Sequence, residues 1–261
     1  FAPKIIGLLK NNKIKNIIIT GMGSCYTAAV GISKYMSKRL NDNGICNIKI
    51  QATIASEGSG FYLSNNMKDT IVIVVAQSGT TVDTNVFASL AKKRGAYTLA
   101  LVNKRDGDIT YIVENNIYLG NGRDVELSVP STKTYTCHLF LGFILSEKVL
   151  SILFKNKKPK DFFKSLQKVK ETNIIENFIK HHTKSIKKIN FNVFNFSKWI
   201  VLYDDSNIAY SSLELRIKLS ECCYKSILYM HFNNFKKSDL NNCLIFYIGT
   251  NNISDNKIFK E

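Results

Sequence analysis

Six consecutive β-branched residues, Thr70-Ile71-Val72-Ile73-Val74-Val75, leave this chain few architectures. Such residues favour extended backbone, and a run without polar alternation suits a strand buried on both faces, as in a parallel sheet covered by helices. Ile17-Ile18-Ile19 repeats the signal. Strands are expected at residues 16–20, 48–52, 70–75, 97–102 and 116–119. Helical patterns run from about Tyr26 to Asn41, Asp83 to Arg94 and Thr134 to Leu153. The alternation predicts a doubly wound α/β fold.

After Lys155 a lysine-rich connector leads to a second strand–loop–helix series. Strands are expected at 199–203, 226–230 and 243–248, with a helix from about Ala209 to Tyr224. The order mirrors the start of the chain and suggests a diverged duplication. The expected division is a first domain over 1–154, a helical connector over 155–195 and a partial second domain over 196–261.

The hexapeptide Ala76-Gln77-Ser78-Gly79-Thr80-Thr81 joins the β-branched run to the next helix. The N–H groups that open a helix lack internal partners and the helix dipole adds positive potential, so an anion is favoured there. Gly79 allows close backbone approach, and Ser78, Thr80 and Thr81 offer hydroxyl donors. There is no Walker lysine and no dinucleotide glycine spacing, which points to a single phosphate on a small molecule. An ordinary βα turn capped by Ser or Thr is the alternative, and the hexapeptide alone does not separate the two.

The formal net charge of +16 raises nucleic acid as a partner, but the lysines are scattered among asparagines, and no nucleic-acid partner is expected. The densest stretch, from Lys155 to Lys170, reads as a solvated linker and helix face. Cys25, Cys46, Cys137, Cys222, Cys223 and Cys243 form no regular framework, and the histidines supply no ligand spacing. Reduced thiols, no metal, no cofactor and a cytoplasmic location are expected. The longest apolar runs are strand-sized, so no membrane span is expected.

Three more loops fall at the expected carboxyl ends of strands: Gly21-Met22-Gly23-Ser24-Cys25-Tyr26, Ala55-Ser56-Glu57, and Glu126-Leu127-Ser128-Val129-Pro130-Ser131-Thr132-Lys133. In this order and spacing, the four loops resemble those of the sugar isomerase (SIS) domain family. More narrowly they resemble the isomerase half of glutamine-dependent glucosamine-6-phosphate synthases. The resemblance implies two tandem SIS-type doubly wound parallel-sheet domains, the second divergent or truncated. It implies a hexose 6-phosphate ligand held by Ser24, Gln77, Ser78, Thr81, Val129 and Ser131, and a homodimer. The implied reaction is conversion of fructose 6-phosphate to glucosamine 6-phosphate, with nitrogen from a glutaminase domain that this sequence does not contain. A non-catalytic sugar-phosphate-binding module is the alternative.

Glu214, Lys218 and Glu221 are spaced to share one helix face. By resemblance to the family's acidic and basic helix, Glu221 is the proton-transferring base, Lys218 its neighbour and Glu214 a positioning carboxylate. A solvent-facing ion pair between Glu214 and Lys218 is the alternative. Other positions depart from the family pattern. Ala76 stands where a serine is usual, Tyr203-Asp204-Asp205-Ser206 replaces a glycine-rich turn, and Lys236-Lys237-Ser238-Asp239 replaces the element carrying a ring-opening histidine. His231 is expected to be structural. The family's imine-forming lysine lies on a tail beyond Glu261.

Overall fold

The computed structural model describes residues 3–120, 126, 130–154, 167, 173–188, 195–236, 238 and 241–249. Helix α1 (Pro3–Lys10) leads to strand β1 (Asn16–Gly21), α2 (Ser24–Asn41) and β2 (Lys49–Ile54). A short α3 (Ala55–Glu57) runs into a π turn (Gly58–Tyr62), followed by β3 (Thr70–Ala76), α4 (Val82–Lys93) and β4 (Tyr97–Val102). Then come α5 (Ile109–Ile112), β5 (Asn115–Tyr118), α6 (Lys133–Leu153) and α7 (Ile174–Ile186). The last elements are β6 (Lys198–Tyr203), α8 (Ala209–Cys223), β7 (Ile227–His231), a 3-10 turn (Phe232–Asn234) and β8 (Cys243–Ile248).

The first five strands form one parallel sheet in the order β2-β1-β3-β4-β5. All seven positions of β3 and all six of β4 are buried, as runs without polar alternation require. Successive side chains take opposite faces. Ile71, Ile73 and Val75 pack with α1, α2 and α6, whereas Val72, Val74 and Ala76 pack with Phe87, Ala88 and Ala91 of α4.

A second parallel sheet has the order β7-β6-β8. Trp199, Val201 and Ile227 cover one face with Leu215, Leu219 and Cys223 of α8. Ile200 and Leu202 cover the other with Phe232 and Phe235. Helix α8 also reaches the first sheet's layer. A Cβ on Gly31 of α2 would fall 2.7 Å from Leu139 Cδ2 of α6 and 2.8 Å from Tyr210 Cδ2 of α8. A larger residue there would have to displace both side chains where these three helices meet.

Helix α6 corrects the expectation that no segment is long enough to span a membrane. By length and composition, its 21 residues pass that test. Interspersed Thr, Cys and Ser break the contiguous apolar runs without lowering the average much. Its packing is that of a core helix: Leu145, Val149, Leu150 and Ile152 join the cluster beneath the sheet. The carboxylate of Glu147, fully buried, accepts hydrogen bonds from Arg39 Nε (2.5 Å), Arg39 Nη2 (3.1 Å) and Tyr35 Oη (2.8 Å) of α2. Burial alone would raise the carboxyl's pKa, but these donors outweigh it and hold it below the ordinary value.

Candidate active site

Strand β1 pairs with β2 on one side and β3 on the other. The helix after β1 lies on one face of the sheet and the helix after β3 on the opposite face. Chains leaving neighbouring strands in opposite directions open a crevice at the carboxyl edge, the switch point where ligands of such sheets bind. Both loops singled out from the sequence, around Ser24 and around Ser78, lie there.

The hexapeptide is folded tightly. Gly79 has φ +73°, and a Cβ there would fall 2.8 Å from Ile109 Cγ2 and 3.0 Å from the Gly107 Cα. Ile109 N–H donates to the Gly79 carbonyl at 2.9 Å, fixing the loop tip to α5. Thr81 sits at the N-cap of α4 yet makes no side-chain cap bond, and Gly23 at the N-cap of α2 has none to offer. Ser78 Oγ accepts from the Thr80 N–H at 3.3 Å and shares a 2.9 Å hydrogen bond with Thr80 Oγ1, so the turn is closed within itself while the end of α4 has no side-chain cap. Two helix N-termini converge here without side-chain caps, and both favour an anion.

Ser24, Gln77, Ser78, Thr81, Ser131 and Glu221 line one cavity of about 260 Å³. Six of the nine expected site residues are thus brought together, with Met22, Cys25, Val75, Ala76 and Thr84 completing the wall. Val129 lies outside the described residues. The volume is at the small end of ligand clefts, the scale of a monosaccharide phosphate rather than a dinucleotide. Burial pushes the Cys25 thiol up to about 12 despite the nearby Gln77 N–H, so it is a neutral wall of the cavity.

The remaining two, Glu214 and Lys218, stand behind Glu221 on α8. Lys218 Nζ lies 2.6 Å from Glu221 Oε2 and 3.5 Å from Glu214 Oε1. The shared face is as the spacing required. The solvent-facing alternative is corrected: Glu214 is 6% exposed and accepts a 2.6 Å hydrogen bond from Thr27 Oγ1 of α2. Contact between α8 and α2 is what buries the group, and helical spacing carries no information about that contact.

Gln77 has a second task. Its Nε2 donates to the Glu126 carbonyl at 2.9 Å, tying the hexapeptide to the segment that carries Ser131. The Glu126 carboxylate caps α6, accepting from the N–H groups of Thr132 (2.9 Å), Lys133 (3.1 Å) and Thr134 (2.8 Å) and from Thr134 Oγ1 (2.6 Å). Partial burial opposes ionisation, but these donors prevail and bring its pKa down to about 2. Its folded value lies below the unfolded one, so the stability it adds is present above about pH 4.5 and is lost as pH falls through about 2. Replacing Glu126 with Ala is expected to cost about 1–2 kcal/mol in urea denaturation at pH 7. The deficit should shrink as pH falls below about 4.5 and be mostly gone at pH 2.

The departures in the second half are structural. Asp204 Oδ2 accepts from Tyr247 Oη at 2.6 Å, and Asp205 Oδ1 accepts from the Asn207 N–H at 2.7 Å. His231 Nε2 donates to the Asp204 carbonyl at 3.1 Å and its Nδ1 accepts from the Asn233 N–H at 3.1 Å. Both ring nitrogens are engaged, so His231 is structural. Lys237 and Asp239 lie outside the described residues.

A parallel α/β sheet with a polar cavity at its switch point defines the class: the chain belongs to the SIS domain family, whose model matches residues 9–145, just over half of it. Within that family it is similar to glutamine–fructose-6-phosphate aminotransferases (isomerizing). The Pyrococcus horikoshii protein is 32% identical over 150 residues, covering 57% of this chain and 23% of that protein. The Wigglesworthia glossinidia brevipalpis protein is 26% identical over 246 residues, covering 91% and 36%. The chain therefore spans well under half the length of these curated relatives. The C-terminal domain of glucosamine-fructose-6-phosphate aminotransferase from Francisella tularensis shares the fold, with a TM-score of 0.78 at 17% identity, over 99% of this chain and 70% of that one.

Proposed function

We propose that this chain is the sugar-phosphate isomerase part of a glucosamine-6-phosphate synthase, converting fructose 6-phosphate to glucosamine 6-phosphate with nitrogen released from glutamine by a separate glutaminase domain. One observation carries the reading. Glu221, from a helix of the second sheet, lines the same cavity as the anion-binding hydroxyls of the first.

In this reading the two open helix N-termini and the hydroxyls of Ser24, Ser78, Thr81 and Ser131 hold the phosphate, with Gln77 and Val129 beside it. Ammonia condenses with the C2 carbonyl and water leaves, and the resulting imine makes the C1 proton acidic. The Glu221 carboxylate takes that proton and returns it to C2, giving the amino aldose. Lys218 engages one oxygen of Glu221 and Glu214 holds Lys218 from behind. The β7-β6-β8 order repeats β2-β1-β3, which supports a second, partial domain of the same kind. The proposed organisation is 1–154, 155–195 and 196–261, within a cytoplasmic homodimer.

A binding module without turnover is the second reading. Ala76 favours it, since a methyl group lines the cavity where relatives offer a hydroxyl. Titration calorimetry with fructose 6-phosphate tests both. Heat saturating at one site per chain is expected, with Ser78→Ala/Thr81→Val weakening affinity at least about tenfold through two lost charge-assisted hydrogen bonds. No heat of binding would sink both readings. Glu221→Gln is expected to leave binding within about threefold and to abolish carbon-bound proton exchange.

A further inference from the structure

We infer that Thr27 is a positioning residue for this site: by holding Glu214, it leaves Lys218 to Glu221 and so fixes the carboxylate at the cavity wall. The inference rests on the proposed proton transfer by Glu221 and adds to it a group on α2, a helix packed on the other sheet.

Thr27 is fully buried on α2, one turn beyond Ser24. Its Oγ1 lies 2.6 Å from Glu214 Oε2 and 2.8 Å from the Ser24 carbonyl oxygen. Both neighbours are acceptors and the hydroxyl has one hydrogen, so the shorter contact, to the charged group, receives it. Among the described residues the other oxygen of Glu214 has no hydrogen-bond partner, and the Lys218 ammonium lies 3.5 Å from it.

Two carboxylates on α8 thus compete for one ammonium. Lys218 stands nearer Glu221, at 2.6 Å, than Glu214, at 3.5 Å. Glu214 is the more deeply buried of the two and has the greater need of a partner, with side-chain exposures of 7% against 30%. The Thr27 hydroxyl explains why it does not win. It satisfies Glu214 from the far side, and the ammonium remains with the cavity carboxylate. Without the hydroxyl, Lys218 is drawn back toward Glu214 and Glu221 loses its anchor.

The test uses the full chain with fructose 6-phosphate and an ammonium salt in D2O, so that the C2 imine can form, following deuterium uptake at C1 by proton NMR. Thr27→Val is expected to lower kcat for exchange roughly 10–100-fold with KM within about threefold, and Thr27→Ser to recover to within about threefold. A second readout does not need turnover. The 13C signal of the Glu221 carboxylate, assigned by its loss in Glu221→Gln, should move in Thr27→Val and return in Thr27→Ser. The double variant Thr27→Val/Glu214→Gln removes the competing charge together with the hydroxyl, so it tolerates the lost bond and should return the signal to its original position.

A Thr27→Val chain like wild type in both readouts overturns the inference, as does a rise in KM alone, equal losses in the Val and Ser variants, or a displaced signal in the double variant. A wild-type chain that binds the sugar phosphate without exchange removes the proton-transfer reading, and the carboxylate signal still decides whether Thr27 positions Glu221. If Thr27→Val does not fold, Thr27→Ala takes its place in both readouts.

Discussion

Replacing Arg39 with Met is expected to destabilise the protein by about 3–5 kcal/mol, because it strands the Glu147 carboxylate inside the helix layer. Glu147 is completely buried, with Tyr35 Oη its other hydrogen-bond donor. The reverse substitution is milder. The Arg39 side chain is 33% exposed and can turn toward water, so Glu147→Gln should cost about 1–2 kcal/mol. Replacing both, as Arg39→Met/Glu147→Leu, should return stability to within about 1 kcal/mol of wild type, since exchanging a buried pair for packed hydrocarbon is often neutral. Urea denaturation at pH 7 with unchanged slopes measures all three. Equal losses in the two single variants would refute the asymmetry, and with it the claim that burial sets the cost. Against a typical total of about 5–15 kcal/mol, the Arg39 variant leaves little reserve.

Acidification from pH 7 to pH 4 is expected to remove about 3 kcal/mol of stability through one residue, His138. It is 1% exposed on α6, and Nε2 lies 3.2 Å from the carbonyl oxygens of both Ala76 and Leu101. Two acceptors require the proton on Nε2, so the neutral ring ties the carboxyl ends of β3 and β4 to α6. Burial depresses its pKa to about 4, only partly offset by the carbonyls. The unfolded ring takes up a proton near pH 6.5 and the folded one only near 4, so stability is lost across that interval as pH falls, then levels. In His138→Gln, which keeps a donor without a titrating ring, the slope between pH 6.5 and 4 should flatten. A slope unchanged by the substitution would assign the loss elsewhere. Because Ala76 opens the hexapeptide, the cradle is expected to loosen over the same interval, ahead of the Glu126 cap.

The central strands were legible because β-branched runs leave one environment open to them, and β3, β4 and β6 came out within a residue of expectation. The edge strand β2 runs on to Ile54 rather than ending at Ala52, since an edge is held by one neighbour and its composition constrains it little. The helix and π turn after β2 were read only as a ligand loop, because three residues carry no period. The cavity loops could be read from their Gly, Ser and Thr content next to strands. Thr27 could not. Its role depends on a partner 187 residues away and on the packing that Gly31 permits. Glu126 was placed in a ligand loop without a role of its own, and its carboxylate reaches forward to cap α6. Arg39 and Glu147 gave no signal at all, being one ordinary charge on each of two helices.

The separation of Thr27 from Glu214 also bears on how the molecule is made. During synthesis the first sheet, with its cradle closed by Ser131, emerges well before α8. In the proposed reading, the groups that hold the phosphate precede in the chain the carboxylate that moves the proton. A sugar phosphate that binds the first unit during synthesis would then stabilise it by mass action, an aid to assembly before it is a substrate.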